Sequence, residues 1–143
     1  LFVGQYSHSL DYKSRISIPK KFRDELKNRA ILTRGLDNCL FLYPMSEWEI
    51  LSERLRQLPL TGRDARAFSR YLFSGAVEVK FDRLGRITVP DYLVKHAHFK
   101  KSVVIIGVLN RVEIWSKEFW DSFNKRVSKK SEEIAEKLSG SGI

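Results

Sequence analysis

The chain repeats itself. Asp11-Tyr-Lys-Ser-Arg15-Ile-Ser-Ile-Pro19 returns as Asp82-Arg-Leu-Gly-Arg86-Ile-Thr-Val-Pro90, 71 residues further on. Gly4 and Gly75 stand seven residues ahead of each Asp. Beyond the prolines one extra residue moves the offset to 72, and Gly35, Asn38 and Trp48 then align with Gly107, Asn110 and Trp120. Eight positions between Gly4 and Trp48 are identical, mostly residue types that set backbone shape or anchor a packed face. A unit of about 45 residues made of short strands cannot bury a core alone. Two such units must share one. The expected architecture is α+β, a pseudo-two-fold β core with amphipathic helices outside.

Each unit reads in the same local order. An extended segment (5–10; 76–81) runs into a polar turn opened by Asp11 or Asp82. Arg-Ile-Ser-Ile and Arg-Ile-Thr-Val alternate with period two and are β-branched, which predicts strands. Pro19 and Pro90 suit a first helical position, where a missing N–H costs nothing. A short helix follows, then two strands (31–33 with 39–43; 103–106 with 112–115) around a Gly-x-x-Asn turn. Ser46 with Glu49 and Thr61 with Asp64 have capping-box spacing and predict two helix starts. The first helix carries Trp48, Leu51, Leu55 and Leu58 as a stripe that Pro59 ends. The second, running to about Ser74, turns Ala65, Phe68 and Leu72 inward. Ser116 opens a C-terminal helix with Trp120, Phe123, Val127, Ile134 and Leu138 on one face. The expected division is 1–60 for the first repeat with its helix, 61–74 for a linking helix, and 75–143 for the second repeat.

Twenty-six Lys and Arg against seventeen Asp and Glu leave a formal charge of +9. The surplus is spread over both halves, so a basic tail on a neutral body is excluded. A polyanionic partner is expected. One cysteine makes no internal disulfide. The apolar runs are too short to cross a bilayer, and no basic-then-apolar leader opens the chain, so a cytoplasmic protein is expected, with no membrane partner.

The doubled Asp-x-x-x-Arg-Ile-x-(Ile/Val)-Pro, the Gly4-Gln-Tyr-Ser-His-Ser-Leu-Asp11 opening and the linking Arg66-x-x-Ser-Arg70-x-x-x-Ser-Gly-Ala76 resemble the MraZ family of bacterial transcriptional regulators over essentially the whole length. Either motif alone indicates only the wider AbrB-like group. The resemblance implies two tandem AbrB-like swapped-hairpin units in one chain and a ring-shaped homo-oligomer. It also implies binding to double-stranded DNA at short direct repeats in the chain's own promoter, at the head of the division and cell-wall gene cluster, and so a nucleoid-associated protein. One position departs: the usual turn is Asp-x-x-Gly-Arg, kept as Gly85 in the second copy but replaced by Ser14 in the first. If a positive φ is needed there, Ser14 is strained or its turn is reshaped.

Arg15 and Arg86 are the leading DNA-binding candidates. Each starts a strand after a polar turn, and a guanidinium suits forked contacts to phosphate or to guanine O6 and N7. Asp11 and Asp82, four residues earlier, support the motif by orienting that Arg or closing the turn. The alternative is an Asp–Arg pair that only staples the turn. Lys13, Lys20, Lys21 and Arg83 flank the motifs and suit phosphate positioning. Arg63, Arg66 and Arg70 form a basic stripe better read as a solvated or subunit-facing surface.

No catalytic, metal or cofactor site is expected. His96-x-His98 has a spacing that sends side chains to different helix faces. Cys39 sits in an apolar strand and reads as a small buried hydrophobe. No phosphate-cradling Gly loop or Ser elbow is present, and no small-molecule substrate is implied. Three rival functions remain: an RNA-binding protein, an antitoxin-like protein partner, and a phosphodiester hydrolase using Asp11 and Asp82 with the two arginines.

Overall fold

The computed structural model describes all residues from Leu1 to Ile143. The first repeat contains β1 (Phe2–Ser9), β2 (Arg15–Ser17), α1 (Lys20–Leu26), β3 (Arg29–Arg34), β4 (Leu40–Pro44) and α2 (Met45–Arg56). Helix α3 (Arg63–Ser74) links it to β5 (Val77–Lys80), β6 (Arg86–Thr88), α4 (Asp91–His96), β7 (Ser102–Leu109), β8 (Arg111–Ser116) and α5 (Lys117–Lys137). The fold is α+β, as the repeat required.

Strand order explains why neither repeat is a separate body. Six strands form one antiparallel sheet, β1-β7-β8-β4-β3-β5, and β2 with β6 forms a two-stranded ribbon. The opening strand of each repeat crosses over: β1 pairs with β7 and β5 pairs with β3. This is the swapped-hairpin arrangement. A pseudo-two-fold axis follows from the registers. Ile16 faces Ile87 at the centre of the ribbon, and Phe41 faces Glu113 at the centre of the β4–β8 pair.

One sheet face packs on the ribbon, α1 and α4. Its core joins Ile16, Phe22, Leu32 and Leu42 to Ile87, Leu93, Ile105 and Ile114. Each such side chain contributes roughly 1.5–3 kcal/mol by leaving water. The other face carries Cys39, Phe41, Tyr43, Val104, Ile106 and Trp115 beneath α2 and α5. Trp48 and Trp120 cover this second cluster, so both are packing residues. The symmetry breaks at its centre. Buried Glu113 accepts from Arg111 Nη2 at 2.8 Å and from Trp115 Nε1 at 3.0 Å, whereas Phe41 opposite needs no partner.

Several local expectations are corrected. Pro19 and Pro90 are N-cap residues, with helices starting at Lys20 and Asp91. Helix α2 begins one residue before Ser46, capped by Pro44, and α3 is capped by Gly62, so neither capping box forms. Ser116 does cap α5, accepting from the Phe119 N–H at 3.1 Å. Gly107 lies inside the β7–β8 ladder opposite Val112, where the first repeat has Arg34 opposite Leu40. It is therefore not the structural counterpart of Gly35. The second hairpin turns on Leu109 and Asn110, one residue tighter than the first, and Leu109 takes φ 61°.

Candidate nucleic-acid interface

Each ribbon strand is fed by a turn that its Asp organises. In the first, Asp11 Oδ1 accepts from the N–H groups of Lys13 and Arg15, both at 2.9 Å. In the second, Asp82 Oδ1 accepts from Leu84 and Arg86 at 2.9 Å each. The second carboxylate oxygen holds the arginine: Arg15 Nε to Asp11 at 2.7 Å, Arg86 Nε to Asp82 at 2.8 Å. Backbone bonds match as well, Ser14 N–H to Asp11 O and Gly85 N–H to Asp82 O, both at 3.0 Å. The two turns are built alike.

Ser14 therefore does not reshape its turn. It takes φ 59° beside 74° at Gly85, accepting a left-handed conformation that costs a non-glycine residue about 1–2 kcal/mol. Space decides why the exchange is tolerated on one side only. A Cβ on Gly85 would lie 2.5 Å from Cζ of Arg23, whose Nε is fixed on the Ile18 carbonyl at 2.9 Å. The counterpart of Arg23 in the second repeat is Val94, which has no long arm to lay over Ser14. Cross-ribbon bonds then lock the turns together, Ile18 N–H to Gly85 O at 3.0 Å and Val89 N–H to Ser14 O at 2.8 Å.

The sequence places Arg15 and Arg86 in two distant motifs; the fold brings them side by side. Their side chains are only 22% and 24% exposed, and Arg86 Nη1 also lies 3.8 Å from Asp11. The stapling role is thus present, with Nε of each guanidinium taken up by its own aspartate. Asp11 loses solvation in this cluster, which pushes its pKa up, but hydrogen bonds from Arg15 and Lys13 outweigh that and hold it below the usual carboxylate range. Asp82 is held low first by the Arg86 N–H, against a smaller loss of solvation. Lys13 and Arg83 are exposed at the turn tips, and Lys21 is exposed at the start of α1. Lys20 is exposed too but reaches Asp24 at 3.0 Å.

Sequence reasoning passed over two tip residues, Tyr12 and Leu84, which are 86% and 69% exposed. Their only signal is position, beside Lys13 and Arg83. The Tyr12 ring lies 5.6 Å from Lys13 Nζ and 5.7 Å from Arg15 Cζ. On the linking helix, Arg66 donates to the Leu60 carbonyl at 3.1 Å. His96 and His98 do diverge: His96 Nε2 sits 3.3 Å from the Tyr71 hydroxyl, and His98 stacks on Phe119. Cys39 is buried, its thiol pushed far above its ordinary pKa by loss of solvation. No group of three His, Cys, Asp or Glu side chains is placed to hold a metal, and no helix is long and apolar enough to cross a membrane.

Crossed strands, a central ribbon and two matched Asp–Arg turns together define a tandem AbrB-like protein. The family model described as "MraZ protein, putative antitoxin-like" matches twice, over residues 1–71 and 72–140. Transcriptional regulator MraZ of Clostridium tetani is 53% identical over 143 residues, spanning all of both chains. That of Natranaerobius thermophilus is 53% identical over 138 residues, 96% of each chain, and that of Alkaliphilus metalliredigens 50% identical over the full length of both. The chain belongs to the MraZ family of transcriptional regulators.

Proposed function

We propose that the chain regulates transcription by binding duplex DNA through the face that carries both turns. The observation that carries this reading is the pair of like-built Asp–Arg turns, locked across one ribbon so that Arg15 and Arg86 lie on a single surface with Lys13 and Arg83. Each arginine spends Nε on its aspartate, which fixes the guanidinium plane and leaves the Nη end for a forked contact to phosphate or guanine. Lys13, Lys20, Lys21 and Arg83 neutralise phosphate and set the register.

One chain offers few contacts, so useful affinity calls for several. A ring of copies on short direct repeats raises overall affinity by on the order of 10² to 10⁴ without new contacts. The target is the chain's own promoter, ahead of division and cell-wall genes, in the cytoplasm at the nucleoid. Competition tests it. Labelled duplex from upstream of the gene should be displaced by the same unlabelled duplex and poorly by a scrambled one. Efficient displacement by single-stranded RNA would favour an RNA partner instead.

A second reading, antitoxin-like clamping of a protein, has its own support. The family description includes that term, and Ile134 on α5 and Leu138 at its C-terminal cap are 39% and 44% exposed. A stoichiometric protein that co-purifies from the native host and is lost when Ile134 and Leu138 become Ser would favour it.

A further inference from the structure

We propose that Tyr12-Lys13 and Arg83-Leu84, the tips of the two turns, make this two-fold scaffold read a one-directional site on DNA. The inference rests on the duplex-binding reading above. A scaffold with a true two-fold axis and identical contacts reads two inverted halves, because each half meets the same chemistry. Here the axis passes between Ile16 and Ile87, and the turns on either side share their backbone bonds and their Asp–Arg pairs. Those shared parts cannot tell one half of a site from the other.

The tips can. Rotation about the axis lays Tyr12 on Arg83 and Lys13 on Leu84, so an apolar group falls on a cation and a cation on an apolar group. Both tips are open, with Tyr12 86% and Leu84 69% exposed. An apolar side chain is matched by a thymine methyl, and a Lys or Arg by guanine O6 and N7. The first tip offers ring then ammonium; the second offers guanidinium then isobutyl. A palindrome satisfies one half and mismatches the other. The flanks differ as well, Lys20 and Lys21 against Asp91 and Tyr92, but cations on phosphate carry no sequence information directly.

Selection from a pool of random duplexes tests this with the full chain, with Tyr12→Arg/Lys13→Leu, and with Arg83→Tyr/Leu84→Lys. The tips lie outside both core clusters, and melting curves confirm that each variant folds; if one does not, the other decides. Wild type should enrich a non-palindromic unit. It should bind that unit at least about tenfold more tightly than a version in which one half is replaced by the inverted copy of the other. Each variant should enrich a unit of two inverted halves, different for the two variants. Enrichment of the wild-type unit by both variants, or of a palindrome by wild type, would overturn the proposal while leaving the duplex-binding reading standing. Wild type that enriches no sequence and binds all duplexes alike would instead remove that reading, and this inference with it.

Discussion

Arg86 Nη1 lies 3.8 Å from the carboxylate of Asp11, across the pseudo-two-fold axis from its own partner Asp82 at 2.8 Å. No reciprocal ion pair joins Arg15 to Asp82. Asp11 thus serves two guanidinium groups and Asp82 one. Asp11→Ala should lower the melting temperature more than Asp82→Ala, because each frees two backbone N–H groups but only the first disturbs both arginines. Equal effects in a thermal melt would mean that the cross-axis contact carries nothing.

The same aspartates set an acid response. Both carboxyls are held below their ordinary range in the folded chain, whereas in the unfolded chain they titrate near about pH 3.9. Their stabilising contribution is full above that value and is lost as pH falls through the lower folded value. Melting temperature should therefore drop on acidification below about pH 4. The drop should be shallower in an Asp11→Asn/Asp82→Asn variant, compared by calorimetry across the same range.

Ser14→Gly should stabilise the chain by roughly 0.5–1 kcal/mol, since glycine takes the left-handed conformation without a Cβ penalty. Gly85→Ser should go the other way by about 1–3 kcal/mol, because its Cβ meets Arg23 at 2.5 Å. Chemical denaturation of both variants reads the two signs. A paired Gly85→Ser/Arg23→Val change should recover part of the loss.

Ile16 and Ile87 are both fully buried and face each other at the axis. Ile16→Ala should cost about 2–5 kcal/mol of unfolding free energy, as should Ile87→Ala. The double variant should depart from additivity, because the two side chains share one space. Additive losses in urea unfolding would argue against a shared core.

The repeat made much of this legible. The period-two segments and most of each apolar helix stripe fall on the elements expected of them, while Pro19 and Pro90 stand one position ahead of their helices and Leu58 lies beyond the end of α2. The partner of each opening strand was not legible from local pattern, since the alternation in β1 is satisfied equally by β3 or β7; the swap came only with the family resemblance. Capping failed where two signals competed: Ser46 and Thr61 have the right spacing, but Pro44 and Gly62 already supply the extended residue that starts each helix. The Gly35–Gly107 alignment slipped because one hairpin is a residue tighter. Identity at a position did not mean equivalence in the ladder. At the candidate interface, the motif residues were visible in sequence, while the partial burial of Arg15 and Arg86 and the exposure of Tyr12 and Leu84 depend on how the ribbon closes.

The central claim is that this face binds duplex DNA by sequence, and fluorescence anisotropy tests it most directly. Affinity for the upstream duplex and a scrambled one would be measured at several salt concentrations, for wild type and for Arg15→Ala. The expected result is a preference for the upstream duplex and a log–log salt slope near −0.9 per phosphate neutralised. In folded Arg15→Ala, affinity for the upstream duplex should weaken by about 5- to 150-fold per engaged site, with most of the preference lost. Equal affinity for the two duplexes, unchanged in the variant, would contradict it.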